Sequence, residues 1–213
     1  MKTSTKIISL ILCLVMVFAF AACSSDNSDT TTTTEAVTDA TTDAVTDATD
    51  ANTKVVVTVK DFGQFTIELY PEYAPKSVEN FISLVKSGFY SGTIFHRVME
   101  GFMAQGGAPA NGENLTPIKG EFKSNGWDAN TLLHTRGVIS MARTTDPDSA
   151  TSQFFICYDD CPTLDGDYAA FGKVIEGMEV VDKFLEVEKT YNSRYELAVP
   201  IEDIVIEKME IAG

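Results

Sequence analysis

The strongest constraint on this chain is a break in composition between Thr53 and Lys54. From Ser24 to Thr53 there are eleven threonines and seven acids, with no base and no aromatic residue. The stretch also repeats itself, as Ala36-Val37-Thr38-Asp39-Ala40-Thr41-Thr42-Asp43 and then Ala44-Val45-Thr46-Asp47-Ala48-Thr49-Asp50. Side chains this small, on a chain whose charges repel one another, cannot bury a core, so the segment reads as a disordered linker. Its reach is about 30 Å root mean square. A calcium-binding repeat is disfavoured, because the glycines and regular ligand spacing of such sites are missing. Of 213 residues, only the 160 from Lys54 to Gly213 are left to build a domain. That is enough for one core without disulfides or a metal, and too little for two independent ones.

Charge narrows the partners. The chain holds 16 basic and 31 acidic residues; Lys2 and Lys6 are the only bases before Lys54, which leaves the folded part at −10. Nucleic-acid affinity comes from basic residues that displace counterions, so no nucleic-acid partner is expected. At the N-terminus, Met1-Lys2-Thr3-Ser4-Thr5-Lys6 precedes an apolar run from Ile7 to Ala22. A basic start and an apolar run short of the roughly 20 residues of a spanning helix fit a secretory signal over residues 1–22. Phe20-Ala21-Ala22-Cys23 resembles a bacterial lipobox, with Phe20 in place of the usual aliphatic residue. The expectation is cleavage before Cys23, a lipid on Cys23, and residues 23–53 as a tether. The protein would then sit outside the cytoplasmic membrane and touch it through the anchor only. An ordinary signal peptide cut near Ala22 is the alternative.

Past the break, periodicity takes over. Val55 to Lys60 is a β-branched run, and Gln64 to Tyr70 alternates polar and apolar residues across Asp61-Phe62-Gly63, which predicts a hairpin. Pro75 opens a helix with Val78, Phe81, Ile82 and Val85 on one side and Gly88 as its stop. A second helix is predicted from Met178 to about Val187. Six further strands are expected at Thr93–Val98, Phe102–Gln105, Gly137–Ala142, Phe154–Cys157, Ala169–Ile175 and Ile201–Ile211. Many short strands with two helices predict a mainly β fold, a closed antiparallel barrel capped by helices.

Three runs carry the chemistry. The first is Phe95-His96-Arg97-Val98-Met99-Glu100-Gly101-Phe102-Met103-Ala104-Gln105-Gly106-Gly107. The second is Ser140-Met141-Ala142-Arg143 with Ser149-Ala150-Thr151-Ser152-Gln153-Phe154-Phe155-Ile156. The third is Leu164-Asp165-Gly166-Asp167-Tyr168-Ala169-Ala170-Phe171-Gly172-Lys173-Val174. Together they resemble a cyclophilin, a peptidyl-prolyl cis-trans isomerase, in order from Val55 to the end. Pro117-Ile118, Glu121 and Asn125 are more similar to bacterial members than to animal cytosolic ones. The resemblance implies an eight-stranded barrel capped by two α-helices, an outer substrate groove, no cofactor, and proline-containing polypeptides as partners of a monomer. By position, Arg97 matches the catalytic arginine; Phe102, Met103, Phe155 and Leu164 match the proline pocket; Gln105, Ala142, Arg143 and Gln153 match the groove that holds the peptide backbone. His96 and Tyr168 fall beside these. Thr163 and Tyr168 replace a tryptophan and a histidine of the animal proteins, which puts cyclosporin binding in doubt.

Rotation about an X-Pro bond needs no bond made or broken. The peptide barrier of about 18–20 kcal/mol comes from lost resonance. What lowers it is tighter binding of the twisted amide. A permanently charged, multi-donor arginine suits the prolyl nitrogen, whose lone pair returns on twisting. Read singly, the same residues are duller: Arg97 as a surface partner of Glu100, and Phe102, Met103 and Phe155 as plain core. A proline-peptide binding module and a holdase chaperone are the rival functions. His96 and His134 lie 38 positions apart without a ligand pattern, so no metal site is expected. A Cys157–Cys161 disulfide stays open, with the strand-ending place of Cys157 against it.

Overall fold

Val55, Val57 and Val59 alternate with Val56, Thr58 and Lys60, and that period of two decides which way the first strand faces. In the computed structural model, which describes residues 53–212, the three odd-numbered valines are fully buried while Val56 and Thr58 are half-buried. The expected signal segment, Cys23 and all but Thr53 of the expected linker lie outside the described residues. Strand β1 (Lys54–Val59) turns back through Asp61, which takes a left-handed φ of 66°, into β2 (Gly63–Leu69). Helix α1 (Pro75–Lys86) follows, then β3 (Ile94–Val98) and β4 (Met103–Gly106). Next come β5 (Val138–Met141), β6 (Phe154–Cys157), β7 (Ala170–Glu176), α2 (Met178–Asp182), β8 (Lys189–Tyr191), β9 (Leu197–Pro200) and β10 (Ile204–Ile211).

Eight strands close into an antiparallel barrel in the order β1-β10-β3-β4-β6-β5-β7-β2. Closure leaves no sheet edge unpaired. It depends on pairing the two ends of the domain, Val55 opposite Ile211. Phe81 of α1 plugs the interior, with ring centroids 5.2 Å from Phe171, 5.2 Å from Tyr90 and 5.7 Å from Phe154. β2 and β7 approach closely at Gly172, where a β-carbon would lie 2.5 Å from the Glu68 carbonyl oxygen.

Helix α1 has Pro at its first position and no cap from its own neighbourhood. Its orphan N–H groups go instead to Glu121, whose carboxylate accepts from Lys76 N, Ser77 N and Ser77 Oγ, each at 2.8 Å. An anion is favoured at this end of a helix by both the free donors and the dipole. Asn130 Nδ2 then donates to the Glu121 and Ala170 carbonyls, tying the long β4–β5 connection to the barrel. The turn at Asp146–Asp148 is exposed, and Asp148 accepts from Gly120 N and Asn125 Nδ2.

Three stretches differ from the periodicity. The second helix ends at Asp182 and tightens into a 3₁₀ turn over Lys183–Glu186, which drops Phe184 into the core 4.9 Å from Phe95. The last strand begins at Ile204 rather than Ile201, because Ile201 is exposed on a bend. The residues between hold an unforeseen hairpin, β8–β9, as a separate two-stranded sheet.

Candidate active site

The site follows from register on one side of the barrel. Across β3, β4 and β6, Arg97 pairs with Gln105 and Gln105 with Phe155; one step along, Met103 pairs with Cys157. Strand alternation sends Ala104, Phe154 and Ile156 inward to the main core. Met103, Phe155 and Cys157 point outward and form a second, smaller cluster with Cys161, against which Met99, Phe102, Ala142, Leu164 and Tyr168 pack. β6 is therefore buried on both faces.

That outer cluster floors a cavity of about 250 Å³, lined by Arg97, Phe102, Met103, Gln105, Ala142, Arg143, Phe155, Leu164, Tyr168 and Arg194. A neighbouring hollow of about 180 Å³ shares Gln105, Ala142 and Arg143 and adds Thr144, Ser149, Thr151 and Gln153. Gln105 Nε2 donates to Gln153 Oε1 at 3.0 Å between the two. His96, placed in the site on the strength of its motif, does not line either hollow. Burial above all pushes its pKa down, against the opposition of a backbone hydrogen bond with Ile94 and with a smaller push from the nearby Arg97 charge. Thr163 is exposed on the short turn Pro162–Leu164.

The two sequence-predicted arginines are held differently. Arg143 lies over two rings, 4.5 Å from the Tyr168 centroid and 5.0 Å from that of Phe122, and donates to the Asp167 and Thr144 carbonyls. Arg97 sits 5.7 Å over the Phe102 ring and pairs with Glu196, not with its neighbour Glu100. Its Nε donates to Glu196 Oε2 at 3.1 Å, and its Nη2 to Glu196 Oε1 at 2.9 Å and to Met99 Sδ at 3.0 Å. Nη1 donates to no protein atom among the described residues. Both Glu196 and Arg194 come from the β8–β9 hairpin, and neither was foreseen.

Behind Phe155 lies a row that looks like a nucleophile, base and acid. Asp165 Oδ1 is 2.9 Å from His134 Nδ1, and His134 Nε2 is 3.0 Å from Ser140 Oγ. Ser140 is fully buried and lines neither hollow, so the row cannot attack a substrate. Its role is support: the His134 ring stacks on Phe155 at 5.9 Å, while Tyr168 meets Phe155 edge-on at 5.8 Å. Burial lowers the His134 pKa, against the partial opposition of Asp165, which keeps the imidazole neutral. Cys157 and Cys161 are free, buried thiols whose pKa values burial raises. Such thiols are inert as nucleophiles. The arrangement thus offers a small apolar floor, amide groups to hold a backbone, and a fixed cation with donors to spare. It is built to bind and polarise rather than to cleave.

Comparison with known proteins agrees with the geometry. The family model described as "Cyclophilin type peptidyl-prolyl cis-trans isomerase/CLD" matches residues 54–211. A peptidyl-prolyl cis-trans isomerase of Acinetobacter baylyi is 51% identical over 146 residues, covering 64% of this chain and 74% of the relative. Peptidyl-prolyl cis-trans isomerase B of Escherichia coli is 41% identical over 162 residues, covering 70% and 94%. Among solved structures, a Cryptosporidium parvum cyclophilin type peptidyl-prolyl cis-trans isomerase is similar at a TM-score of 0.63 and 32% identity, covering 76% of this chain and 98% of that one. The same protein was also crystallised in the presence of the dipeptide Ala-Pro, at a TM-score of 0.62 and covering 75% and 99%.

Proposed function

This chain belongs to the cyclophilin-type peptidyl-prolyl cis-trans isomerases, and from that premise we propose that it is a lipid-anchored isomerase acting on newly exported polypeptides at the outer face of the cytoplasmic membrane. The observation that carries the site assignment is the guanidinium of Arg97, held at the rim of a hollow with an apolar floor, its Nη1 uncommitted among the described residues. A pyrrolidine ring settles on Phe102, Met103, Phe155 and Leu164, and burial of that apolar surface contributes at about 25 cal/mol per Å². Gln105 and Gln153 hold the flanking backbone. As the preceding residue turns, the amide loses resonance and the prolyl nitrogen becomes an acceptor within reach of Arg97. A donor fixed in advance there stabilises the twisted state over the planar ones, which lowers the barrier itself. The Ala-Pro dipeptide used with the Cryptosporidium parvum relative supports a proline-containing segment as the ligand.

The export reading rests on sequence: the basic start, the apolar run from Ile7, Cys23, and an acidic tether that anionic lipid headgroups would repel. One set of preparations tests both parts. Arg97→Ala lowers kcat for an X-Pro peptide by about a hundredfold while leaving peptide affinity within a few-fold. Undiminished turnover in that variant refutes the catalytic role of Arg97. Cys23→Ser moves the protein from the membrane fraction to the soluble one; retention at the membrane overturns the anchor.

A further inference from the structure

Glu196 stands out as a charged group that the isomerase reading leaves without a task. Most exposed ion pairs contribute little, about 0–1 kcal/mol, and need no functional account. This pair differs in three respects. It engages Arg97 through two nitrogens at once, a fork-on-fork geometry that fixes orientation as well as distance. Both side chains are mostly shielded, at 20% and 25% exposure for Arg97 and Glu196. The carboxylate is itself braced: Asn192 Nδ2 donates to Glu196 Oε2 at 2.6 Å, and Asn192 Oδ1 accepts from Glu196 N and Arg194 N.

The turn that delivers Glu196 is locally unfavourable. Tyr195 adopts φ 61°, the left-handed region that favours glycine, and the residue is 89% exposed, so packing does not compensate. The loop closes because Asn192 forms an Asx turn to Arg194 N at 2.8 Å and Asn192 N donates to the Glu196 carbonyl at 3.0 Å. A strained turn that Asn192 both closes and uses to brace one carboxylate, aimed at Arg97, is a holder.

We propose that Glu196 is a positioning residue for isomerisation, clamping Nε and Nη2 of Arg97 so that Nη1 is presented to the rotating amide. The proposal rests on Arg97 being the catalytic residue, as argued above. Without the clamp the guanidinium keeps its charge but samples several rotamers, and misplacing the donor costs the transition state more than it costs ground-state binding.

NMR exchange measurements on an X-Pro peptide with the intact protein separate kcat from KM. For Glu196→Ala, kcat falls about tenfold with KM within about twofold. Glu196→Gln keeps the side-chain size and one acceptor oxygen, and recovers part of the loss; it also serves if alanine loosens the hairpin. In an Arg97→Ala background, Glu196→Ala removes nothing further. Unchanged kcat in both Glu196 variants, or an equal added loss in the double variant, overturns the positioning role. Wild-type turnover in Arg97→Ala alone overturns the catalytic reading beneath it.

Discussion

Phe154 and Phe155 are neighbours in sequence, identical in side chain and both buried, yet they belong to different parts of the molecule. Phe154 faces the barrel interior and meets Phe81, Tyr90 and Phe95 edge-on at 5.7, 5.6 and 5.8 Å. Phe155 faces outward, between the His134 ring and Tyr168, over the hollow beside Arg97. Alternation assigns them to opposite faces of one wall. An ordinary barrel strand has a polar outer face, so a run such as Phe154-Phe155-Ile156-Cys157, apolar on both, has a second surface to cover. Here it is covered by the segment Cys161–Tyr168 and, on this reading, by substrate. Burial alone does not separate the two faces; what lies beyond each ring does.

Truncating each ring in turn tests that distinction with the largest expected effects. Phe154→Ala empties a site enclosed on all sides and costs about 3–5 kcal/mol of stability. Phe155→Ala borders a space already open, so the cost falls to about 2 kcal/mol or less, while kcat/KM drops at least about tenfold through the lost pocket floor. Denaturant titration and an X-Pro turnover assay on the two variants read both numbers. Equal losses of stability, or turnover lost only in proportion to folding, would erase the difference between the faces.

A smaller effect separates structural polar groups from working ones. Glu121 is 2% exposed and supplies the cap that α1 lacks locally, whereas Glu196 is a quarter exposed, beside the hollow, and supports the arginine. Glu121→Ala leaves buried donors of Lys76 and Ser77 unpaired, at a cost of about 2–3 kcal/mol by denaturant titration. Turnover per folded molecule should stay within about twofold, since Glu121 lines no part of the hollow. A fall in specific activity larger than that would mean the α1 terminus and the groove are coupled.

These contrasts also mark how far the sequence carried. Strand faces were legible where the period is strict, as in Val55 to Val59, and so was the buried stripe Val78, Phe81, Ile82 and Val85 of α1. Closure was suggested by many short strands with only two helices, but the pairing that achieves it was not a matter of periodicity: Val55 and Ile211 meet across the whole domain. The pocket residues were legible through their motifs, and register explains why, since Arg97, Gln105 and Phe155 are adjacent across strands while lying far apart in the chain. His96 was drawn into the site by sequence adjacency to Arg97, but adjacent residues on a strand need not share a surface. Glu196 was invisible for two reasons. Its partner is 99 positions away, and its turn places Tyr195 where a glycine would have announced a hairpin.

The mildest perturbation is acid, and it too should divide the two faces. His134 and His96 both have pKa values lowered in the folded state, chiefly by burial. The unfolded chain therefore takes up protons first as pH falls through about 6.5, while the folded state resists until its own lower pKa values are reached. Stability from these neutral imidazoles is fully present above that range and declines below it, by at most about 1.4 kcal/mol per pH unit for each histidine. Glu196 and Asp148 have lowered carboxylate pKa values and act only at more acid pH, so the interval from 6.5 to 5 belongs to the histidines. His134 stacks on Phe155 and stays neutral in the folded protein there, so the Phe155 ring resonances should hold still across that interval, as those of Phe154 do, and shift only at lower pH, once folded His134 takes up its own proton. Denaturant titrations at pH 7.5 and 5.5, with aromatic NMR spectra at each, measure both effects. Stability that rises on acidification would mean that His134 is charged in the folded protein and paired with Asp165, and the outer face would then rest on an ion pair rather than on a neutral ring.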